Sequence, residues 1–306
     1  MSGQLRAIKN RIRSVENTKK ITHAMEMVAA AKLRRFQDMM VKAKPYTQGL
    51  AELTARLLQD QLTRRAEAQK HGRENKRTLL HPFFETREEK RTGLVLFTSD
   101  TGLCGSYNTE LVEIARRFLD PQREREPVLM SVGKFGAVGL KRLGFKFHRT
   151  FQDLRASRVE EILKALTGEL ENLYLEKKVD SISVVYSHFL TFTTYKGTLE
   201  KLLPFKSPAD LNERSEAVSS DYIYEPSPEI IFKKLIPLFF EAKIRMIFLE
   251  SFVSEQIARM TAMHLATENA EEMIDSLVLV RNKARQASIT KEIIEIISGS
   301  RALKIK

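Results

Sequence analysis

The chain has 306 residues, of which 42% are apolar and 17 are Phe, enough for one large core or two smaller ones and too apolar for a disordered chain. A net charge of +12 favours an anionic partner: nucleic acid, an anionic membrane surface or the acidic face of another protein. The single cysteine, Cys104, excludes an internal disulfide framework and suits a reducing compartment, and no window approaches the ~20 uncharged apolar residues of a spanning helix.

The N-terminus "MSGQLRAIKNRIRS" has no apolar signal-type stretch, which predicts a cytosolic protein or one held at a membrane only through partners. From Leu5 a 3-4 spacing runs through Ile8, Ile12, Val15, Lys19, Thr22, Glu26, Ala29, Leu33, Phe36, Met40 and Ala43, the pattern of a coiled-coil seam. It fails at Lys19, Thr22 and Glu26, where Ile21, Met25 and Val28 are expected to supply a displaced stripe. The segment "AMEMVAAAK" (24–32) is small or apolar on nearly every side, as in a helix enclosed all round. Pro45 is expected to break or kink the run, and a leucine-spaced stretch through Leu50, Leu53 and Leu57 follows.

Residues 60–92 are crowded with charge and without period, which predicts a solvated connector. Strands are then expected at 92–100, 127–133, near "FKFHRTF" and at 180–189. Helices are expected between them at about 108–119, 134–143 and 157–177. Alternating strand and helix predicts a parallel α/β sheet, with "TFTTYKGTLEKLLPF" as an edge hairpin and 206–228 as an exit linker. From Glu229 to about Ser298 no glycine occurs, a helix of roughly 105 Å at 1.5 Å per residue. Its stripe passes through Ile244, Ile247, Ser254, Ala258, Thr261 and Leu265, facing the first helix.

The domains expected are therefore 1–59, an N-terminal coiled-coil helix, 60–228, connector and α/β domain, and 229–306, a C-terminal coiled-coil helix. If the α/β domain is inserted between antiparallel helices and residue 59 lies beside 228, Met1 lies level with Gln286. Everything beyond overhangs, including the face formed by Ala287, Ile289, Ile293, Ile294, Ile296 and Ile297. Exposed isoleucines forgo about 25 cal/mol per Å² of burial, so a second protein is expected around this tip. The absence of Trp anchors suits a surface that slides.

Catalytic motifs are missing. No GxxxxGK[ST] loop, HExxH, GxSxG or CxxC occurs, "GKFGAVG" (133–139) has the wrong glycine spacing for a dinucleotide fold, and the six histidines show no ligand spacing. No cofactor or metal is expected. One local candidate is "TSDTGLCGSYN" (98–108) at the carboxyl end of the first strand. There Asp100, Cys104 and Asn108 could assemble a site, while Gly102 and Gly105 fit a tight turn and Asn108 a helix cap equally well. Nucleic acid is the rival reading: residues 1–50 carry 11 Lys or Arg against 3 Asp or Glu, a basic coiled-coil arm fit for phosphates. Against it, aromatic residues for stacking are almost absent from the arm, and its charges also suit an acidic protein collar.

Five ordered segments resemble the gamma subunits of F-type ATP synthases over essentially the whole chain: 8–35, "TSDTGLCGSYN", "SDYIYEPSP" (220–228), "SEQIARMTAMHLATENAEEMI" and "NKARQASITKEIIEIISG". The family's ending usually continues Gly-Ala; here it is Gly299-Ser300, expected to lie past the helix. The resemblance implies an antiparallel coiled coil of N- and C-terminal helices plus an inserted Rossmann-like parallel-sheet domain. It implies a central stalk turning inside three alpha and three beta subunits. Its foot would rest on the c-subunit ring beside epsilon, with ATP chemistry left to the beta subunits. No nucleic acid is then expected, and the membrane is reached only through the Fo sector. Carried over by motif, Met25, Arg259, Arg285, Gln286 and Thr290 would contact the alpha/beta hexamer, and Tyr224 and Glu225 the c ring and epsilon. With Cys104 alone the chain lacks the cysteine pair of chloroplast-type members, and without a transit peptide a bacterial origin is expected, at the cytoplasmic face of the inner membrane.

Overall fold

The structure, a computed structural model, describes residues 2–70, 81–85, 87–191, 194–205 and 224–304. Two compact units divide the chain: Met1–Ala31 with Arg259–Lys306, and Lys32–Ala258. Two long helices account for nearly half of the chain, α1 (Ser2–Lys70) and α5 (Pro228–Lys304).

Helix α1 departs from expectation twice. It continues through Pro45, because Pro45 and Val41 both lie on its exposed face, and the Val41 carbonyl that loses an amide donor meets water. It also runs on to Lys70, with Gln61 buried, so the first part of the expected connector is helix. Residues 71–80 lie outside the described residues. Within the rest of that segment Glu85 and Glu88–Arg91 are exposed, but the turn Pro82–Phe84 buries Phe83 against Tyr174, Phe240 and Phe205, at centroid distances of 5.8, 5.1 and 6.4 Å. Charge density along 60–92 hid this aromatic anchor, whose burial outweighs its charged neighbours. Of the expected exit linker, 206–223 lies outside the described residues. At the far end α5 does not stop at Gly299 but continues to Lys304.

Between the long helices five strands form one sheet in the order β3-β2-β1-β4-β5. They are β1 (Thr92–Phe97), β2 (Val128–Val132), β3 (Arg149–Phe151), β4 (Ser181–Phe189) and β5 (Tyr195–Leu203). The first four run parallel; β5 returns antiparallel along β4, pairing Phe189 with Tyr195 and Ile182 with Leu203, as the edge hairpin predicts. All six residues of β1 are buried, as a central parallel strand covered on both faces requires. On one face Leu94, Leu96, Leu129 and Val185 meet Tyr107, Leu111, Ala115 and Leu119 of α2 (Tyr107–Leu119) and Leu140 of α3 (Lys134–Arg142). On the other, Phe97 meets Phe248 of α5 at 6.2 Å. Beside α5 runs α4 (Val159–Leu175), joined to it through Glu160 and Arg245.

Gly133 explains the glycine spacing in "GKFGAVG". It caps α3 at φ +101°, and a Cβ there would lie 2.1 Å from the Thr98 carbonyl oxygen, so no other residue fits. Its neighbour Gly136 lets α3 approach β1 closely enough for the Gly136 amide to donate to Thr98 Oγ1 at 2.8 Å.

Candidate functional site

The loop at the carboxyl end of β1 is the place where a parallel sheet offers a ligand site. Its polar groups are already engaged. Asp100 accepts from the Lys134 amide at 3.0 Å and the Leu154 amide at 2.8 Å, the Phe135 amide donates to the Ser99 carbonyl, and the Gly136 amide to Thr98 Oγ1. The first amides of α3, where an anion would sit, are thus filled by the chain itself. Asn108 is not a helix cap. Ser106 precedes α2, and the Asn108 side chain accepts from the Ser99 amide at 3.0 Å while donating to Ser99 Oγ at 2.7 Å and Cys104 Sγ at 3.2 Å. Cys104 is buried. Cys104 and Asn108 are therefore brought together at Ser99, while Asp100 joins the loop after β1 to those after β2 and β3.

The tip unit is a two-helix coil, and its seam holds register where the sequence pattern fails. Lys19 pairs with Glu271 at 2.8 Å, Thr22 Oγ1 with Thr267 Oγ1 at 2.8 Å, and Glu26 with His264 at 3.1 Å. Polar pairs fill the positions where apolar residues were expected, so Ile21, Met25 and Val28 do not take over the seam; all three are exposed. Ala29 beside them is buried, which brings the backbones close. The α5 side likewise shifts. Thr261 and Leu265, expected in the stripe, are exposed, and the inward line beyond Ala258 passes through Met263, Thr267, Ala270, Ile274, Leu277, Arg281, Ala284 and Ser288. That line keeps the 4-3 alternation throughout.

Those cross-pairs also locate the end of α1. Continued one residue back for each residue forward, Lys19–Glu271 and Thr22–Thr267 bring Ser2, the first residue of α1, level with Ala287 or Ser288, less than one turn past the expected register. Beyond that level Ile293, Ile294, Ile296 and Ile297 are 51 to 71% exposed, and Ile289 beside it is 48% exposed. With Met27, Leu265, Met273, Leu279 and Val280 also exposed, large apolar side chains look outward from both helices of this unit. Exposed apolar side chains gathered in one unit in this number mark a surface that a partner covers. Sequence reading missed the Met273, Leu279 and Val280 contribution, although each stands off the 4-3 line.

Of the residues carried over by resemblance, Met25, Arg285, Gln286 and Thr290 are exposed in the tip unit, and Arg259, half-buried, stands at its start. The other two sit in the second unit. Tyr224 is half-buried and donates to Asp60 Oδ2 at 3.1 Å, while Glu225 is exposed.

A second set of contacts had no signal in the sequence. Glu250 of α5 lies 2.6 Å from His188 Nδ1, and burial pushes its carboxyl up, opposed by the His188 ring beside it. Tyr107 donates to the Ser251 carbonyl at 2.9 Å, and its hydroxyl is raised well above the usual phenol range, chiefly by burial. Arg245 grips Glu160 with two nitrogens and also reaches Glu241. Among the described residues no cluster of His, Cys, Asp or Glu could hold a metal, and no helix is long and apolar enough to cross a membrane.

Compared with known proteins, residues 4–303 match the family model described as ATP synthase. The gamma chain of the ATP synthase of Moorella thermoacetica is 39% identical over 98% of this chain and 99% of its own length. That of Heliobacterium modesticaldum is 38% identical over 98% and 99%. Among solved structures, a chain of the central stalk and c ring of the Tetrahymena thermophila mitochondrial ATP synthase aligns with a TM-score of 0.55 and 26% identity, covering 80% of this chain and 99% of that one. A chain of the Euglena gracilis mitochondrial enzyme shares the fold at a TM-score of 0.65 and 18% identity, covering 99% and 95%.

Proposed function

The chain belongs to the ATP synthase gamma-chain family, and on that premise we propose that it is the rotor of an F-type ATP synthase. It transmits ion-driven rotation of a c-subunit ring to a hexamer of alpha and beta subunits, and in reverse uses ATP hydrolysis to drive ions. The observation that carries this reading is the tip unit: apolar side chains exposed around both helices, overhanging isoleucines, and a seam held by its own polar pairs. Such a shaft holds its own register and still presents an apolar surface to a surrounding collar. Without large aromatic anchors, that surface suits turning contact more than fixed docking.

Residues 1–59 and 229–306 form the axle and 60–228 the connector and foot. Met25, Arg259, Arg285, Gln286 and Thr290 meet the hexamer, and Tyr224 and Glu225 meet the c ring and epsilon. The chain has no active site of its own. Support for that comes from the loop after β1, where Asp100, Ser99 and Thr98 already occupy the first amides of α3 that a phosphate would need. It acts at the cytoplasmic face of a bacterial inner membrane, reaching the membrane only through the Fo sector. The comparisons give the nucleic-acid reading no support.

The test is purification of the tagged chain from its native membrane in mild detergent, with mass determination of what accompanies it and an ATPase assay. Recovery of alpha, beta and epsilon subunits with ATPase activity is expected, and its loss on deletion of 287–306. Recovery of nucleic acid without those subunits would overturn the reading.

A further inference from the structure

Within the second unit, α5 lies against the sheet through a short segment dense in directional contacts. Lys243 pairs with Glu200 of β5 at 2.7 Å, and Glu200 also accepts from the Tyr186 hydroxyl at 3.0 Å. Glu250 meets His188 of β4 at 2.6 Å, and Ser254 Oγ donates to the Ser187 carbonyl at 3.2 Å. Ser251 accepts from Tyr107 of α2, and Arg245 holds Glu160 of α4 by two nitrogens. At roughly 100° per residue, Lys243, Glu250 and Ser254 share one face of α5, Ser251 stands beside it, and Arg245 projects from nearly the opposite side. The helix is therefore held on opposing faces by three different layers of the foot: β4 with β5, α2, and α4.

Hydrophobic contact is non-directional, so an apolar helix face lets neighbouring rotational settings compete at small cost. Hydrogen bonds and ion pairs weaken steeply when turned out of line. Buried polar contacts of this kind are better attested as fixing a unique arrangement than as adding stability. Here Glu250 and Ser254 are largely or fully buried and bonded, while the Phe248–Phe97 and Phe248–Phe252 contacts beside them supply the apolar attraction.

We propose that residues 243–254 of α5 are the torque-bearing joint of the rotor, in which Arg245 and Glu250 are positioning residues that lock the helix against turning relative to the sheet. The proposal rests on the rotor reading above. A twist delivered to the sheet enters α5 at this joint and continues along the same unbroken helix beyond Ala258. If the joint is weakened, the helix slips under load while its fold survives.

The test uses the whole synthase in membrane vesicles, comparing the native chain with Arg245→Met and Glu250→Leu, singly and together. These replacements keep bulk and burial and remove only the directional contact. Hydrolysis is measured with an uncoupler present, and ions pumped per ATP are measured with and without an opposing gradient. For the double variant, uncoupled hydrolysis and recovered complex should match the native enzyme. Ions pumped per ATP should fall about threefold against the gradient, on the scale of losing directional contacts of ordinary strength. Exchanging the charges, Arg245→Glu with Glu160→Arg, should restore the ratio relative to Arg245→Glu alone. An unchanged ratio under full opposing gradient would overturn the proposal. So would a parallel fall in hydrolysis, pumping and recovered complex, which would assign these residues to folding. Either result leaves the rotor reading intact, since that depends on which subunits accompany the native chain.

Discussion

Ile293 and Ile297 lie one turn apart on the overhanging end of α5, each 51% exposed. Replacing both with serine, whose helix propensity matches that of isoleucine, removes apolar surface without weakening the helix. Burying a whole isoleucine side chain is worth ~1.5–3 kcal/mol, so the half still exposed holds about 1 kcal/mol for a partner to claim. The pair then forgoes ~2 kcal/mol on assembly, a loss of about 30-fold in affinity. The isolated chain should lose almost nothing, because exposed sites away from caps and cores usually change stability by less than about 0.5 kcal/mol. Two measurements check this: thermal unfolding of the isolated chain, and titration of native and double-variant chains into alpha and beta subunits. A lowered melting temperature with unchanged capture would refute the reasoning, since it would mean that the isoleucines pack within the chain.

Met25→Lys places a charge on the outward stripe of α1 and should weaken coupling of hydrolysis to ion pumping more than it weakens assembly; equal loss of both, measured on the same vesicles, would count against it. Asp100→Ala leaves the Lys134 and Leu154 amides without their acceptor and should cost about 2 kcal/mol in urea unfolding, with an unchanged denaturant slope. His81 is held down to about 4, first by burial and then by Lys233, against an ordinary 6.5. Because the unfolded chain then binds more protons between those values, stability present above pH 6.5 is lost as pH falls toward 4. His81→Gln should flatten that part of a melting-temperature profile, and an unaltered slope would exclude His81 as its source. Gly133→Ala should fail to yield a native foot at all, as judged by near-ultraviolet circular dichroism, since its Cβ would meet the Thr98 carbonyl oxygen.

The long helices were legible because their periodicity is local: apolar spacing over 1–43 and a glycine-free run from 229 need no knowledge of neighbours. The strand-helix alternation and the antiparallel edge strand were legible for the same reason. Positions where the pattern broke were read less well. At Lys19, Thr22 and Glu26 a local reading moves the seam to the nearest apolar stripe. The fold keeps the register because Glu271, Thr267 and His264 wait opposite, more than 200 residues away in sequence. Pro45 misled in the same manner, since its cost depends on whether the freed carbonyl meets water.

The amino-acid order alone determined that two long helices flank an α/β sheet, that their ends are unequal, and that isoleucine is left over at the longer one. Each follows from periodicity and length, which the chain carries within itself. Only the tertiary structure decided which exposed residues are surplus to the seam. It also decided that Asp100 is spent on two amides and that Arg245, Glu250 and Ser251 grip three separate layers of the foot. A side chain's pattern records its own preference for burial. Its partner is chosen by packing, and packing joins residues that no local spacing relates.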